Sequence, residues 1–177
     1  MANNTRLIIP EAINNFNIYS QGNTLIGLSA EVSLPDIQAV TETMNGPGIL
    51  GDFETVMVGM YNSIKQEIPF RMLDEDIFSL ANPLEITELT LRASEQSTIK
   101  STGNIAFKGM RIVYRGRPIE FKPGTVKQGG QMNASVTLEV FYILIEIDGK
   151  RKFELDKLNN VFKINDVDLL ADIKKQC

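Results

Sequence analysis

A long stretch of two-residue alternation, residues 132–147, restricts the fold more than any other feature of the chain. Even positions up to residue 144 carry apolar or aromatic side chains, which is the pattern of a strand with one buried face. Odd positions are polar as far as Glu139 and apolar from Phe141 onward. The sequence therefore predicts a long strand that is half-buried at first and later covered on both faces, by a helix or a neighbouring subunit.

Turn residues and shorter alternating segments extend the β pattern along the chain. Asp148-Gly149 predicts a two-residue hairpin turn, after which the chain returns as a strand through Phe153 and Leu155. Further strands are predicted at residues 24–32, 65–73, 86–94 and 104–114, and loops rich in Gly and Pro at residues 43–52 and 115–130.

Two short helices complete the predicted elements. The first covers residues 75–81, with Asp74 as its N-cap. The second covers residues 167–174, and its buried face is predicted to consist of Val167, Leu169, Leu170 and Ile173.

The chain has no internal repeat and no linker, so residues 1–177 are expected to form a single domain. This domain is expected to be mainly β: a β-sandwich or barrel with one short internal helix and a C-terminal helix.

The chain lacks the residue types on which most catalytic and metal sites depend. It has no histidine, which removes the commonest general base and the commonest transition-metal ligand. With one cysteine, Cys177, it offers neither an internal disulfide nor the ligands of a structural zinc site. We therefore expect no catalytic residue, no cofactor and no metal, and the chain is not expected to be an enzyme.

Four carboxylates near the C-terminus test that expectation, because they come in close pairs. Glu154 and Asp156 share one face of a predicted strand, whereas Asp166 and Asp168 lie at the start of the predicted second helix. Negative charge there is stabilised by free backbone N–H groups and by the helix dipole. Capping and surface charge explain these acids better than a calcium loop, whose spacing is absent, or a carboxylate-only hydrolase.

The charge is distributed unevenly along the chain. Residues 1–82 carry 3 basic and 10 acidic side chains, whereas residues 83–177 carry 15 basic and 12 acidic ones. Opposed charges of this kind suit head-to-tail self-association.

The second half also contains a run of basic residues that is interrupted only by Glu120. This run predicts either a polyanion-binding surface or a protein contact. A protein contact is favoured, because the chain is acidic overall and has no tryptophan. The members of the run are Lys108, Arg111, Arg115, Arg117, Lys122 and Lys127, and the last five are the candidates for the contact.

No apolar run approaches the roughly 18 residues that a membrane-spanning helix needs. The first residues also lack a basic segment followed by a long apolar one. Neither membrane insertion nor a signal peptide is therefore expected.

Several motifs, in this order, give the chain a resemblance to a known family. They are "NNFNIYSQGNTLIGLSAEVSLPDI" from residue 14, "NGPGILGD" from residue 45, "VYRGRPIEFKPGTVKQGG" from residue 113 and "ELDKLNNVFKINDVDLLADIKK" from residue 154. Together they resemble the major tail tube proteins of contractile-tailed phages, particularly the temperate enterobacterial type, and those of related phage-tail-like bacteriocins.

The resemblance implies a fold like that of tail tubes and type VI secretion tubes. It further implies a structural virion protein, assembled in the host bacterial cytoplasm into hexameric rings that stack as a conduit for DNA. The expected partners are copies of itself, the tail sheath, tape-measure, baseplate and tail-terminator proteins, with DNA only in transit. A bacteriocin or secretion tube without DNA is the alternative within this class, and a β-sandwich that binds a polyanion is the alternative outside it.

The resemblance also points to segments used in assembly. They are an N-terminal arm over about residues 1–20 and the loop at residues 43–52. A contact of the basic run with a neighbouring subunit or the sheath is expected as well. Ring stacking is assigned to Asn45, Gly46, Pro47, Gly48, Ile49 and Leu50.

Overall fold

The structure, a computed structural model, describes residues 7–25 and 27–176. Most of these residues lie in antiparallel strands, and two short helices accompany them, so the predicted mainly β class is confirmed. In chain order the elements are β1 Ile8–Ser20, β2 Asn23–Thr24, β3 Ala39–Met44, β4 Phe53–Tyr61, β5 Lys65–Phe70, α1 Glu75–Leu80, β6 Thr87–Ile99, β7 Ile105–Lys122, β8 Ala134–Ile147, β9 Lys150–Asp156, β10 Val161–Ile164, β11 Val167–Asp168 and α2 Ala171–Gln176.

The strands form one large sheet and one separate hairpin. The order in the large sheet is β11-β10-β9-β8-β7-β6-β1-β2, and β5 pairs with the first half of β8. Strand β8 is therefore central: β7 covers one of its edges, whereas β5 and then β9 cover the other. Strands β3 and β4 pair with each other in a two-stranded sheet of their own.

A single apolar cluster lies on one face of the large sheet. It draws side chains from both ends of the strand order, so the sheet must curl around it. Helix α1 closes the cluster with Ile77 and Leu80, which are buried. The largest fully buried side chains are Tyr114, Phe70, Ile18, Ile64, Ile68, Ile77, Leu89, Ile112, Leu138 and Ile143.

A β-bulge in β8 explains the change of pattern at Phe141. Val140 pairs with Gly116 and Tyr142 pairs with Arg115, so Phe141 is an extra residue in β8. The positions that face the core consequently change from even, ending at Val140, to odd at Ile143. The prediction that the second half is covered on both faces holds at Ile143 and Leu144, which point to opposite faces and are 1% and 7% exposed, whereas Phe141, Tyr142 and Ile145 are only partly buried.

The polar face of the first half of β8 is more buried than its sequence pattern predicts. Ser135 and Thr137, on the face predicted to be solvated, are only 5% and 7% exposed. The Ser135 hydroxyl donates to Glu67 at 2.6 Å, and the Thr137 hydroxyl lies 3.5 Å from a Glu120 carboxylate oxygen. Long side chains of β5 and β7 thus cover the polar face of the strand.

Three other strand boundaries differ from the predicted ones. Of the described residues in the first predicted strand, 24–32, only Thr24 lies in β2, and Leu28 makes an isolated bridge to Phe70. Strand β7 continues through Lys122, well into the predicted loop, because it pairs with β8 from Met110 to Lys122. Strand β5 ends at Phe70, which leaves Met72 exposed.

The first helix agrees with its prediction and the second does not. The Asp74 carboxylate accepts a hydrogen bond from the Glu75 N–H at 2.7 Å, as an N-cap does. Asn165 and Asp166, in contrast, adopt positive φ of 50° and 64° in a turn between β10 and β11. Helix α2 therefore begins only at residue 171. Of its predicted buried face Leu170 alone is buried, whereas Val167, Leu169 and Ile173 are exposed.

The predicted N-terminal arm overlaps a strand of the large sheet. Residues 8–20 form β1, which pairs with β6 along its length and with β2 only at Tyr19 and Ser20. Residues 1–6 of the expected arm and the cysteine, Cys177, lie outside the described residues.

Candidate assembly surfaces

The hairpin of β3 and β4 exposes an unusual amount of apolar surface. In the described chain these strands hydrogen-bond in a ladder only to each other, so they lack a sheet or helix that would cover them. Large apolar side chains at consecutive positions of β4 point to both faces and are 39–55% exposed at residues 56–58. The exposed members are Met44, Phe53, Val56, Met57, Val58 and Met60.

The base of the hairpin is held firmly against the large sheet. The Tyr61 ring packs edge-on against Phe162 and Phe153, with ring centroids 5.3 Å and 6.4 Å apart. Gly59 has a φ of +82° and faces Leu170 so closely that an added Cβ would lie 2.7 Å from a leucine methyl group. The hairpin is therefore anchored at one end, and the end that carries residues 45–52 is free.

The free end is the loop predicted to stack rings. It turns between Gly46 and Ile49, whose N–H donates to the Gly46 carbonyl at 3.1 Å. Gly48 and Gly51 have positive φ of 89° and 100°, which suits glycine. Leu50 between them is fully exposed. The loop is thus the tip of an apolar hairpin, and its role in stacking stays a prediction.

The hairpin carries only negative charge. No lysine or arginine occurs between residues 32 and 64. Glu42, Asp52 and Glu54 are exposed, and none of them forms an ion pair within the described part of the chain. A surface that receives this hairpin needs apolar side chains and positive charge.

Two members of the predicted basic run lie on the outer face of the large sheet, opposite the core. Arg111 binds Glu146 at 2.9 Å. Arg115 binds Glu88 at 2.7 Å and lies 5.0 Å above the ring of Tyr142. Carboxylates therefore balance both guanidinium groups, and these two arginines present little net charge.

Lys108 lies near the start of β7, and the other three members are spread toward and beyond its end. Arg117 lies 5.9 Å from the centre of the Phe141 ring. Lys122 is shared between Glu120 at 3.5 Å and Glu67 at 3.7 Å. Lys127 is exposed in the loop that follows β7 and forms no ion pair with the residues described. These residues do not make one continuous basic face.

An exposed apolar surface lies at this same end of the sheet. The rings of Phe78 in α1 and Phe121 in β7 are 5.7 Å apart, and Val126 is exposed in the loop. The carbonyl of Arg71 accepts hydrogen bonds from the loop residues Met132 and Asn133, so Arg71 lies at the base of the loop. We call Arg71, Phe78, Phe121, Val126 and Lys127 the loop-end surface. Sequence analysis did not find it, because helix and loop residues meet there only in the fold.

The C-terminal carboxylates do not come together as an acid cluster. Glu154, Lys163 and Asp168 are cross-strand neighbours, so a lysine lies between the two acids. Asp156 instead accepts hydrogen bonds from the backbone N–H groups of residues 158 and 159 in a turn. Within residues 7–25 and 27–176, no group of three or more acidic, histidine or cysteine side chains is placed to hold a metal ion.

Asp168 has a structural role near the base of the hairpin. Its carboxylate accepts a hydrogen bond from the Leu170 N–H at 2.9 Å and binds Lys174 at 3.0 Å. The backbone hydrogen bond, followed by Lys174, lowers the pKa of Asp168 below its ordinary value. Asp168, and not Asp166, is therefore the acid that organises the approach to α2.

A mainly β subunit with an uncovered apolar hairpin, and with no acid cluster placed for a metal ion in its described residues, fits the class of structural assembly proteins. Comparison with known proteins gives the family: residues 10–177 match the family described as "Phage tail tube protein FII". The chain belongs to this family. Among the described residues, no helix is long and apolar enough to cross a membrane.

Two curated relatives match almost end to end. The tail tube protein of Escherichia phage P2 is 24% identical over 170 residues, covering 96% of this chain and 98% of the relative. The major tail tube protein of Serratia phage KSP20 is 27% identical over 166 residues, covering 94% of each. Both relatives are named as tail tube proteins, so the resemblance seen in the sequence is confirmed. This chain is a structural tail tube protein and not an enzyme.

A solved structure supports the fold. The sheath/tube terminator of an extracellular contractile injection system, PVC, in the extended state, superimposes with a TM-score of 0.55. The match covers 77% of this chain and 96% of that one at 14% identity. The two chains therefore share a fold across a large difference in sequence.

Proposed function

We propose that the chain forms hexameric rings that stack into the inner tube of a contractile phage tail, through which DNA passes into the host. The observation that carries this proposal is the β3–β4 hairpin, which is apolar on both faces and uncovered in the single chain. Apolar surface of this extent marks a protein contact. A tube built from one kind of subunit supplies that contact from further copies of the same chain.

The hairpin supports a head-to-tail arrangement. A contact between two different surfaces of identical subunits continues from copy to copy, and it closes as a ring or extends as a filament. The hairpin tip at residues 45–50 is the stacking element in this proposal. The open outer edge of β1, at residues 8–17, is a second contact, because a neighbouring strand would satisfy its free backbone groups.

Deletion of residues 45–50 tests the stacking role. We expect the variant to fold as wild type does, because the tip packs on nothing within the described chain, but to form tubes at least about tenfold less well. Negative-stain electron microscopy gives the tube yield and the six-fold symmetry of rings. Leu158→Ala, which removes another exposed leucine, is the control and leaves tubes intact. Normal tubes from the deletion variant would remove the tip from the assembly mechanism.

The remaining partners follow from the position of a tail tube. We propose the sheath outside the tube, the tape-measure protein inside it, and the baseplate and tail-terminator proteins at its ends, with assembly in the bacterial cytoplasm. Arg111 and Arg115 are proposed to act at a subunit or sheath contact through exchange of their ion-pair partners.

DNA is proposed to pass through the tube without being held. The chain has 22 acidic and 18 basic side chains, so its net charge repels phosphate overall. Three of the six residues in the basic run, Arg111, Arg115 and Lys122, already bind carboxylates, which disfavours the alternative of a polyanion-binding module. Micromolar affinity of the purified protein for duplex DNA at physiological salt would contradict this part of the proposal.

A further inference from the structure

Gln66 in β5 is a fully buried polar side chain. Its register partner is the core residue Leu138, so Gln66 lies on the core side of the sheet. Its Nε2 donates to the Ser33 carbonyl at 2.9 Å and to the Glu67 carbonyl at 2.6 Å. Burial of an amide is unfavourable unless it is hydrogen-bonded. The bond to Ser33 therefore joins Gln66 to the segment between β2 and β3, residues 28–38, which we call the strap.

The strap is attached to the rest of the subunit at few points. The Ser29 N–H donates to the Pro69 carbonyl at 3.1 Å, and the Asn62 N–H donates to the Gln38 carbonyl at 2.9 Å. Between these two points, the Gln66 amide makes the one hydrogen bond that joins the strap to another segment among the described residues. Cavities of about 390 Å³ and 150 Å³ adjoin the strap, so the hold on its middle depends on Gln66 and on partly buried apolar side chains.

The strap is stiff and leads directly into the hairpin. Pro35 has a fixed φ and favours an extended conformation at the residue before it. Residues 34–38 separate Ser33 from the first residue of β3 and contain no glycine. The position at which Ser33 is held is therefore passed on to the start of the hairpin.

The two strands of the hairpin pair irregularly at its base. Ala39 pairs with Tyr61, whereas Thr41 pairs with Val56. A long bulge in β4, residues 57–60, therefore faces a single residue of β3. The β4 side has slack at this point, so the shorter β3 side, which continues the strap, sets the direction of the hairpin.

We propose that Gln66 is a positioning residue for tube assembly: its amide holds the strap, and the strap holds the hairpin at the angle that stacking needs. This inference rests on the proposed stacking role of the hairpin. A hairpin that samples many directions must be ordered when it docks, which weakens the contact. The alternative is that Gln66 only stabilises the core, and that the close approach of Gly59 to Leu170 fixes the hairpin.

The direction of the hairpin is measured in the unassembled subunit. Spin labels at Leu50→Cys in the tip and Lys150→Cys in β9, in a Cys177→Ser background, give a distribution of distances by pulsed electron paramagnetic resonance. Gln66→Met keeps the length of the side chain but removes the donor, and we expect it to broaden this distribution at least about twofold. In the unlabelled chain, the same substitution is expected to lower tube yield at least about tenfold.

Ser97→Ala is the matched control. Ser97 is 1% exposed, and its hydroxyl donates to the Ala106 carbonyl at 3.2 Å, so the variant also removes a buried bond to a backbone carbonyl but does not touch the strap. Its distance distribution and tube yield should stay within about twofold of wild type. An unchanged distribution in Gln66→Met, or a loss of tubes in Ser97→Ala as large as in Gln66→Met, would overturn the positioning role.

A second variant tests the same connection if Gln66→Met fails to fold by circular dichroism. A glycine-glycine insertion after Asp36 leaves the bond between Gln66 and Ser33 in place but adds slack before β3. We expect it to broaden the distance distribution and lower tube yield, whereas the same insertion after Gly129, in an exposed loop, changes neither. An unchanged distribution after the strap insertion would overturn the proposal.

The two proposals fail in different ways. If deletion of residues 45–50 abolishes tubes but Gln66→Met leaves the distance distribution unchanged, the stacking role stands and the positioning role fails. If Gln66→Met broadens the distribution but the tip deletion forms normal tubes, the stacking role fails, whereas the hold of Gln66 on the hairpin stands.

Discussion

Strands β8 and β4 are both rich in apolar residues, yet the fold treats them in opposite ways. Every residue from 134 to 138 of β8 is buried, because β5 and β7 pair with its two edges and the core covers one face. Strand β4 pairs only with β3 in the described chain, and most of its apolar side chains are exposed. The difference is that β8 supplies the core of the subunit, whereas β4 leaves apolar surface uncovered in the single chain, and we propose that this surface contacts another copy.

The largest difference in unfolding free energy is expected between alanine substitutions at two leucines, one from each region. Leu138 is fully buried and Leu50 is fully exposed. Leu138→Ala should lower the free energy of unfolding by about 2–5 kcal/mol, because it removes buried contacts and leaves a cavity. Leu50→Ala should change it by less than about 0.5 kcal/mol while reducing tube yield. Urea unfolding of the unassembled subunit measures both. Equal destabilisation would mean that the hairpin packs on its own subunit.

Two glycines extend the comparison to the backbone. A Cβ at Gly116 would lie 2.3 Å from the backbone oxygen of Glu139, so Gly116→Ala must displace β8 at its bulge. We expect a loss of about 3 kcal/mol in unfolding free energy. Gly59→Ala in the hairpin meets a positive φ and a flexible Leu170 side chain, and should cost about 1–2 kcal/mol.

Gly109→Ala is the matched control for both glycine variants, because a Cβ at that position of β7 has no neighbour within 4 Å. Its unfolding free energy should stay within about 0.5 kcal/mol of wild type. A loss at Gly59 greater than at Gly116 would reverse the ranking of the two regions.

The smallest effect on stability is expected from substitution of Asp168, whose carboxylate accepts a hydrogen bond from the Leu170 N–H near the base of the hairpin. Its pKa is lowered in the folded state, so ionised Asp168 stabilises the fold at pH above its ordinary value of 3.8. That contribution is lost as pH falls through the lowered pKa. Thermal unfolding should therefore show a small deficit for Asp168→Asn at pH 6 that shrinks below pH 3.8. A deficit independent of pH would assign the effect to geometry and not to charge.

Local signals predicted much of the fold. Asp148-Gly149 adopts the left-handed conformations expected of a two-residue hairpin, with φ of 53° and 69°. Asp74 caps α1 because its carboxylate reaches a free backbone N–H of the next residues. In each case the residues that carry the signal are also the residues that make the interaction.

Predictions failed where a distant partner decides the outcome. Residues 115–122 contain turn-forming residues but are strand, because β8 supplies a pairing edge. Residues 167–168 have a helical apolar pattern but pair with β10. The exposed apolar run at residues 56–58 was the available signal for an assembly surface, and it was missed because apolar runs usually indicate a core.

The amino-acid sequence by itself determined the mainly β class, the central strand, the capped first helix and the tail tube family, because alternation, turn residues and motif order are properties of neighbouring residues. Only the tertiary structure decided which apolar strand became core and which stayed exposed. It also decided which cations were neutralised by carboxylates. Both outcomes depend on contacts between segments far apart in the chain, and a pattern of neighbouring residues does not specify such contacts.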